Sequence, residues 1–592
     1  MRLRDLVESC ETLETARARR RQVTLIADLL RRAGDDERAH IAYLLQARLR
    51  PPFEGVEVGL GDKLLAKAIA DAYGASAATV ARHYARSGDL GLVAQTLASD
   101  APVGRLSVGD AYDRLLAIAR TGGAGSIERK VRLFAALLGG AGGREAKFLV
   151  RVAQGRLRLG VGEQTILEAA AAGALGDGRR KPLLEHAYNV RSDLGDVVRI
   201  AFARGARGLT GLAPRIGVPV RPALAQRLPS AQAIIERLGT VQAEPKYDGF
   251  RIQIHRDGDR VWAFSRRLEN VTGMFPELTE GVRRQLRARR AIIEGEAVVH
   301  DPRTGAFLPF QVTMTRKRKT AIAEAAARHP LRLYAFDLLR EGARNWLPRP
   351  QRARSERLAE LLPSRPNDPV AVTEAVLVHE ASALDAYFDQ MLRRGLEGVV
   401  AKRPDAPYRA GARGYDWVKL KRAYQSKLRD TVDLVLVGYQ RGRGKRAALG
   451  IGSLLGAVYD PARDRFRTVA KIGSGLTDTQ WKQLRVRLDR QATTEKPRRV
   501  DSLIEPDVWV TPAYVVEVLA DEITRSPRHT CGREDGMPGY ALRFPRIVNG
   551  VRADKAPADA TTEREVLDLY RMQRRVAKGT RTPRPRASSP PR

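Results

Sequence analysis

The first two hundred residues place apolar side chains at helical spacing, with charged residues between them. The pattern is clearest in residues 13–33, 113–118, 131–138 and 165–172, where apolar residues recur every three to four positions and predict amphipathic helices. Short glycine clusters, such as residues 139–143, separate these segments and are typical of turns. The stretch shows neither strand alternation nor a fixed repeat. The pattern therefore predicts an all-α domain over residues 1–210 rather than a helical solenoid.

The pattern changes after a linker rich in proline and glycine at residues 212–219. Phe250, Ile252 and Ile254 alternate with polar residues, and the Asp257-Gly258 pair that follows is a hairpin signal. The other elements predicted here are strands at 292–299, 331–339 and 396–401 and a helix that starts after Ser382 and ends at Gly395. We therefore expect an α+β domain over residues 211–427.

A third pattern begins near Thr431. Its predicted elements are strands at 432–438, 453–459 and 466–472, a helix that a capping box opens at 477–480, and strands at 508–510 and 514–519. Three strands, a helix and two strands follow the order of a small OB barrel, which we expect over residues 428–575. The remaining residues, 576–592, are rich in proline, arginine and serine and are predicted to form a disordered basic tail.

The charge of the chain indicates a polyanionic partner. Lysine and arginine number 104 and aspartate and glutamate 68, so the formal net charge is +36. A surface of this kind attracts nucleic acid through its phosphates. GC-rich coding would explain the preference for arginine over lysine, but it does not explain the excess of basic over acidic residues.

Cysteine content and hydropathy indicate a cytoplasmic protein, associated with the nucleoid if the source is bacterial. Cys10 and Cys531 are too few for a four-thiolate zinc site or a disulfide framework. The charged start leads into no apolar segment, so we expect no signal peptide. No apolar run approaches the roughly 18 residues of a membrane span, so we expect no membrane partner.

The sharpest local motif covers residues 244–251. Lys246 stands directly before an Asp-Gly turn, and a strand is predicted to follow. Because such a turn permits an unusual backbone conformation, the amine can project into a cleft as a nucleophile. The alternative is an ordinary surface lysine before a hairpin.

Acidic and basic residues on three later strands strengthen the first interpretation. Glu294 and Glu296 share one face of a strand, Glu397 precedes another, and Lys419 and Lys421 share a face of a third. Each group alone could be charge on a solvated strand edge. Together they provide acids for a metal and lysines for a phosphate beside a candidate nucleophile.

This combination suits phosphoryl transfer. An attacking lysine must be neutral, and we expect Lys419 and Lys421 to lower the pKa of Lys246 from its usual value near 10.4. Magnesium bound by Glu296 and Glu397 would neutralise phosphate charge during in-line transfer.

The chain resembles the ATP-dependent DNA ligases of the archaeal and eukaryotic replicative type, which belong to the nucleotidyltransferase superfamily. The segments that carry the resemblance are 246–251, 265–267, 293–296, 333–337, 396–402, 417–421 and 552–555. Their order and spacing are specific, and the likeness covers nearly all of the chain except the tail. One departure is Arg267, where many relatives have a polar side chain. The count of two cysteines also argues against the NAD-dependent ligases, whose zinc finger uses four.

The resemblance implies a role for each site residue. Lys246 would carry AMP, Glu244 would recognise the adenine amine, and Phe336 would stack on the base. Arg251 and Glu296 would contact the ribose. The phosphate-binding residues would be Arg266, Arg413, Lys419 and Lys421, and the leaving pyrophosphate would be oriented by Arg552 and Lys555.

The amino-terminal part resembles the family's DNA-binding domain, chiefly in residues 147–162. There Arg156 and Arg158 would contact DNA phosphates, although a basic turn between helices is an alternative. The resemblance implies ATP and Mg²⁺ as cofactors and nicked double-stranded DNA as the partner of a monomer whose domains close around the duplex. It implies nick sealing in replication, repair or recombination, with protein partners that the sequence does not name. The alternatives are an mRNA capping enzyme that uses GTP and a DNA clamp without activity.

Overall fold

The computed structural model describes residues 1–98, 105–301, 304–308, 312–313, 315–318, 320–365, 368–421, 431–442, 446 and 449–579, without the side chains of Arg413 and of residues 574–579. Two units, Met1–Arg422 and Ala423–Arg592, each have their own hydrophobic cores. Within these described ranges, no helix is both long and apolar enough to cross a membrane.

The amino-terminal part is helical, as the periodicity predicts. Its helices are α1 Leu3–Thr15, α2 Arg19–Arg32, α3 Asp35–Leu44, α4 Asp62–Tyr73, α5 Ala77–Ser87, α6 Leu90–Leu97, α7 Val108–Arg120, α8 Ser126–Gly139, α9 Gly143–Ala153, α10 Glu163–Leu175, α11 Lys181–Val190 and α12 Leu194–Thr210. One apolar core runs through all of them. It forms because each helix buries its apolar stripe against its neighbours.

Residues 13–33, which read as a single helical segment, form the end of α1 and all of α2. The chain turns at Ala16, whose backbone is extended. The buried side chain of Gln22 donates a hydrogen bond of 3.0 Å to the Ala16 carbonyl. This bond supplies a partner for a backbone group that the helix end leaves free.

A linker between residues 211 and 223 joins the helices to the α+β region. Arg221 donates 2.6 Å to Glu163 at the start of α10 and 2.7 Å to the hydroxyl of Tyr188 on α11. On the other side, Gln253 exchanges two hydrogen bonds with the backbone of Val220, of 2.8 and 3.1 Å. The linker is therefore fixed to both regions.

The α+β region contains strands β1 Leu224–Arg227, β2 Val241–Lys246, β3 Phe250–Asp257, β4 Arg260–Ser265, β5 Arg290–Val299, β6 Leu331–Glu341, β7 Arg344–Asn345, β8 Val370–Val372, β9 Val376–Val378, β10 Gly398–Lys402 and β11 Arg413–Lys421. Its helices are α13 Ala231–Leu238, α14 Pro276–Gln285, α15 Ile322–Arg328, α16 Gln351–Leu361 and α17 Ala381–Arg393. The predicted α+β class is confirmed. The helix expected after Ser382 begins at Ala381, because Glu380 rather than Ser382 is its N-cap residue.

The strands form two sheets that meet at the predicted turn. One sheet has the order β1-β11-β10-β2-β9, and the other runs β4-β3-β5-β6-β7 with β8 beside β6. Since β2 ends at Lys246 and β3 begins at Phe250, residues 247–249 cross from one sheet to the other. Gly249 is needed at this crossing, because a Cβ there would lie 2.3 Å from the carbonyl oxygen of Ala297.

The second unit confirms the predicted order of strands and helix. Its elements are β12 Thr431–Arg441, β13 Ile451–Asp460, β14 Arg465–Ile472, α18 Asp478–Asp489, β15 Ala492–Thr493, β16 Val500–Asp501, β17 Val508–Val510, β18 Val515–Leu519, β19 Glu522–Ser526, β20 Gly539–Arg543, β21 Arg546–Val551 and α19 Glu563–Gly579. Most of the strands join one sheet through β12, β13 and β14. The predicted capping box is present, since Thr477 and Gln480 hydrogen-bond reciprocally at the start of α18.

The expected start of the tail is wrong. Residues 576–579 continue α19, which ends at Gly579. An apolar stripe packs this helix against the strands of the second unit, where Val566 is buried in the core. Residues 580–592 lie outside the described residues.

Candidate active site

Lys246 lies at the junction of the two sheets, beside an acidic and a basic residue. It pairs with Gly398 of β10, and Gly398 pairs with Lys421 of β11 on its other side. Glu397, directly before β10, forms ion pairs with both Lys246 and Lys421. Gly398 permits this close packing, because a Cβ there would lie 2.1 Å from the Leu420 carbonyl oxygen.

The charge around Lys246 differs from the sequence expectation. Burial favours a lower pKa for Lys246, but the carboxylates of Glu397 and Asp248 raise that pKa above its usual value. Burial likewise favours a higher pKa for Glu397, yet the two lysines hold it well below its usual range. The expected lowering of the Lys246 pKa is wrong for this state, because Glu397 lies between the lysines and its negative charge outweighs their repulsion.

Glu296 approaches the same junction from the second sheet. Burial raises the pKa of Glu296 to about 7, against the opposing effect of Lys246, Arg251 and Arg266. Its carboxylate makes no hydrogen bond within the described part of the chain. An oxygen donor of this kind, within electrostatic range of Lys246, fits Mg²⁺, which often binds one or two carboxylates together with substrate phosphates. The described residues contain no group of three His, Cys, Asp or Glu side chains that could hold a metal by themselves.

A buried ion pair joins β2, which ends at Lys246, to the neighbouring strand β10. The carboxylate of Glu244 lies 2.7 Å from Nζ of Lys402, with 4% and 1% of the two side chains exposed. Gln242 donates 3.0 Å to the other oxygen of Glu244. Nζ of Lys402 also donates 3.1 Å to the carbonyl of Phe336 and lies 4.7 Å from the centre of its ring. The sequence analysis assigned no role to Lys402. Its position at the end of an apolar strand was the one signal that its side chain could be buried.

A second buried group fixes Arg251. Its guanidinium binds both oxygens of Glu294, at 3.0 and 2.8 Å, and donates 2.6 Å to the Ala223 carbonyl. The hydroxyl of Tyr408 donates 2.7 Å to Glu294 and accepts 2.9 Å from the Ala223 amide. The sequence placed Glu294 in the motif but did not indicate its partner, and it gave no sign of Tyr408.

The structure describes the remaining phosphate-binding candidates of the first unit to different extents. Arg266 follows β4 and acts on Glu296 electrostatically. Lys419 and Lys421 occupy alternate positions of β11, as expected for one face. Arg413 begins the same strand, and its side chain lies outside the described residues.

The loop expected to contact DNA contains Arg156 and Arg158, and one of the two forms an ion pair within the protein. Arg158, whose side chain is 39% exposed, lies 3.3 Å from Asp89. Asp89 also binds Arg151 at 2.7 Å and accepts 2.8 Å from the Gly91 amide at the start of α6. Arg156 is half-buried and makes no side-chain hydrogen bond within the described residues. Of the two, Arg156 is the more available to a ligand.

Arg552 and Lys555 lie in the second unit, both bound to acidic residues. Arg552 binds both oxygens of Asp554, at 2.9 and 2.8 Å, and lies 3.4 Å from Glu517. Lys555 forms an ion pair with Asp433. A phosphate ligand would therefore have to compete with carboxylates for these cations.

Comparisons with known proteins agree with the family that the motifs indicate. Residues 2–171 match the family model "DNA ligase N terminus", residues 222–421 match "ATP dependent DNA ligase domain", and residues 447–555 match "ATP dependent DNA ligase C terminal region". A "Probable DNA ligase" of Dictyoglomus thermophilum is 44% identical over 96% of this chain and 98% of its own length. A "DNA ligase" of Saccharolobus solfataricus is 39% identical over 97% of this chain and 98% of its own length.

Proposed function

Because the chain belongs to the family of ATP-dependent DNA ligases, we propose that Lys246 is the residue that becomes adenylated when it seals a nick in DNA. The family's reaction has three transfers at phosphorus: AMP joins the enzyme, moves to the 5′-phosphate at the nick, and leaves when the 3′-hydroxyl attacks. The observation that carries the proposal is the position of Lys246 at the junction of the two sheets. Glu397 and Lys421 lie on its own sheet, and Glu296 acts on it from the other sheet.

In the first transfer, the lone pair of Lys246 Nζ forms a bond to the α-phosphorus and the bond to the β-phosphate oxygen breaks, which releases pyrophosphate. The amine must first lose a proton to solvent, and the Glu397 carboxylate opposes this loss because its negative charge stabilises the ammonium form. Mg²⁺ held by Glu296 and Glu397 would neutralise phosphate charge and draw the Glu397 carboxylate away from the amine. Lys419, Lys421, Arg266 and Arg413 are proposed to hold the phosphate oxygens.

The buried Glu244 and the nearby Phe336 are proposed to recognise the base. An ionised Glu244 accepts hydrogen bonds, which suits the exocyclic amine of adenine and not the carbonyl oxygen of guanine. Phe336 would stack on the ring, a contact worth about 0.5–1.5 kcal/mol beyond burial. These assignments favour ATP over GTP.

The ribose is proposed to lie against Arg251 and Glu296. Arg251 is held in place by Glu294 and by the Ala223 carbonyl, so little side-chain entropy remains to be lost when the sugar binds. A positioned cation that does not reorganise during the reaction is the arrangement that favours transition-state stabilisation.

Further assignments follow from the family and belong to the same proposal. Arg156 and Arg158 are proposed to contact DNA phosphates, and Arg552 and Lys555 to orient the pyrophosphate of ATP. We propose that the functional domains are residues 1–210, 211–427 and 428–575, followed by a tail expected from 576. Because α19 extends to Gly579, the tail is proposed to start after that residue. We also propose that the protein acts as a cytoplasmic monomer in replication, repair or recombination.

The test uses Lys246→Ala on two substrates. On a plain nick with ATP, the variant should not seal, because no amine remains to accept AMP. On a nick that already carries AMP at its 5′-phosphate, it should still seal measurably, since the last transfer does not use the lysine as nucleophile. ATP-dependent sealing by Lys246→Ala at the wild-type rate would show that the nucleophile is another residue.

A further inference from the structure

The hydroxyl of Tyr408 occupies a buried position to which the proposed reaction gives no role. Tyr408 lies in the segment between β10 and β11, and only 4% of the residue is exposed. Its hydroxyl donates 2.7 Å to a carboxylate oxygen of Glu294 and accepts 2.9 Å from the Ala223 amide. Its backbone amide donates 2.8 Å to the Leu347 carbonyl. Tyr408 is therefore fixed both at its backbone and at its hydroxyl.

These contacts close a ring of hydrogen bonds around Arg251. The guanidinium donates 3.0 and 2.8 Å to the two oxygens of Glu294 and 2.6 Å to the Ala223 carbonyl. Tyr408 then joins Glu294 to the amide of the same Ala223. The ring links the end of the linker, β3, β5 and the segment before β11, so its geometry depends on all four.

The Ala223 amide fixes the direction in which Tyr408 donates. Because this N–H group points at the hydroxyl oxygen, the hydroxyl proton is directed to Glu294. Burial and the charge of Glu294 raise the pKa of Tyr408 above its usual value, so the hydroxyl stays a donor. Glu294 thus receives donors from two different side chains, which hold the plane of its carboxylate and with it the forked pair to Arg251.

Of the three side chains in the ring, Arg251 is the one that a ligand can reach. Its side chain is 13% exposed, whereas that of Glu294 is fully buried. The guanidinium carbon lies 5.3 Å from the centre of the Phe336 ring. The ring of Tyr408 packs edge-on against Trp417, which packs edge-on against Phe336. Tyr408 therefore supports the surroundings of the nucleotide from behind and has no surface of its own there.

We propose that Tyr408 is a positioning residue for the ribose of ATP, which acts through Glu294 to hold the Arg251 guanidinium ready for a sugar hydroxyl. This inference rests on the proposed contact between Arg251 and the ribose. A guanidinium that is already held loses little side-chain entropy on binding, so the ring contributes to affinity. No member of the ring is assigned to the phosphates, and the transfer of AMP itself should depend on Tyr408 far less.

The test compares Tyr408→Phe with a matched variant, Tyr459→Phe, in the full-length protein. Tyr459 is also buried, and its hydroxyl donates 2.9 Å to Asp464, which forms an ion pair with Arg499. Each variant thus loses one hydroxyl from a group of tyrosine, carboxylate and arginine, and the second group has no assigned part in the reaction. The rate of AMP adduct formation is measured over a concentration series of ATP, of 2′-deoxy-ATP and of 3′-deoxy-ATP. Thermal unfolding reports the stability of each variant.

Tyr408→Phe should raise the ATP concentration for half-maximal rate about tenfold, as for a lost hydrogen bond to a charged group, and change the rate at saturating ATP by less than about twofold. Tyr459→Phe should change neither value, even if it unfolds at a lower temperature. With the analogue that lacks the hydroxyl bound by Arg251, the difference between Tyr408→Phe and the unchanged protein should nearly vanish, because a contact that is absent cannot be weakened.

The inference would be overturned if Tyr408→Phe left the half-saturating ATP concentration unchanged, or if its effect persisted undiminished with both analogues. Tyr408 would then support the fold and not the ribose contact. Arg251→Lys, measured in parallel, separates these results from a failure of the ribose assignment. If Arg251→Lys also leaves the ATP dependence unchanged, Arg251 does not bind the ribose and both claims are wrong. If Arg251→Lys weakens ATP use and Tyr408→Phe does not, only the role of Tyr408 is wrong.

Discussion

At the scale of single residues, the carboxylate of Glu397 favours the protonated form of Lys246, the proposed nucleophile. Glu397 binds both Lys246 and Lys421 and keeps the pKa of Lys246 above its usual value. A protonated lysine cannot attack phosphorus. If Lys246 is the nucleophile, as proposed, its contact with Glu397 keeps it unreactive until the amine loses that proton.

The pair of Glu244 and Lys402 gives a prediction about the base pocket. Lys402→Met should leave the Glu244 carboxylate buried without a counter-charge, and losing one partner of a buried ion pair costs about 3–5 kcal/mol. The variant should unfold at a lower temperature and need more ATP for half-maximal adduct formation. Both are measurable by calorimetry and by adduct yield across an ATP series.

The matched control for this prediction is the double variant Glu244→Gln/Lys402→Met. It has no buried charge, so it should be more stable than Lys402→Met alone while still using ATP poorly. If the changes in the free energy of unfolding caused by the two single substitutions add up in the double variant, the two side chains do not stabilise each other.

At the scale of elements, a buried histidine on the strand β3 connects this strand to the linker between residues 211 and 223. His255 accepts 3.0 Å from the Gly217 amide and lies 2.9 Å from the side-chain oxygen of Gln253. Burial lowers the pKa of His255 to about 3. The folded protein therefore holds this imidazole neutral at any pH above that value.

This histidine predicts a loss of stability in acid. Its folded pKa is below the unfolded value near 6.5, so its contribution is complete above about pH 6.5 and is lost progressively as the pH falls towards 3. The unfolding temperature of the unchanged protein should fall over this range more steeply than that of His255→Gln. His83→Gln, on the exposed helix α5, should follow the unchanged protein. Parallel curves for all three proteins would contradict the assignment.

Elements with a strong local pattern could be predicted from the sequence, and contacts between distant segments could not. The alternation at Phe250, Ile252 and Ile254 gave β3, and the capping box gave the start of α18. The turn at Ala16 was missed because a buried glutamine stabilises it, and burial is not visible in a short window of sequence. Similarly, the motif order located Lys246, but the Glu294–Tyr408 contact joins segments far apart in the chain and has no local signal.

At the scale of the whole molecule, the second unit predicts a division of labour between steps. Arg552 and Lys555 are expected to act on the pyrophosphate of ATP, which is present only in the first transfer. Arg552→Ala/Lys555→Ala should therefore lower adduct formation far more than sealing of a nick that already carries AMP. Arg564→Ala, at an exposed position of α19, should affect neither rate. An equal loss in both assays would show that these residues serve the later transfers as well.

The most direct test of the account is to locate AMP on the protein. The full-length chain is incubated with ATP and magnesium in the absence of DNA, digested, and mapped by mass spectrometry, with Lys246→Arg treated in parallel. The peptide that contains Lys246 should gain the mass of one AMP in the unchanged protein, and no peptide should gain it in the variant, because arginine stays protonated and cannot attack. AMP found on any other residue of the unchanged protein, or retained by Lys246→Arg, would contradict the central claim.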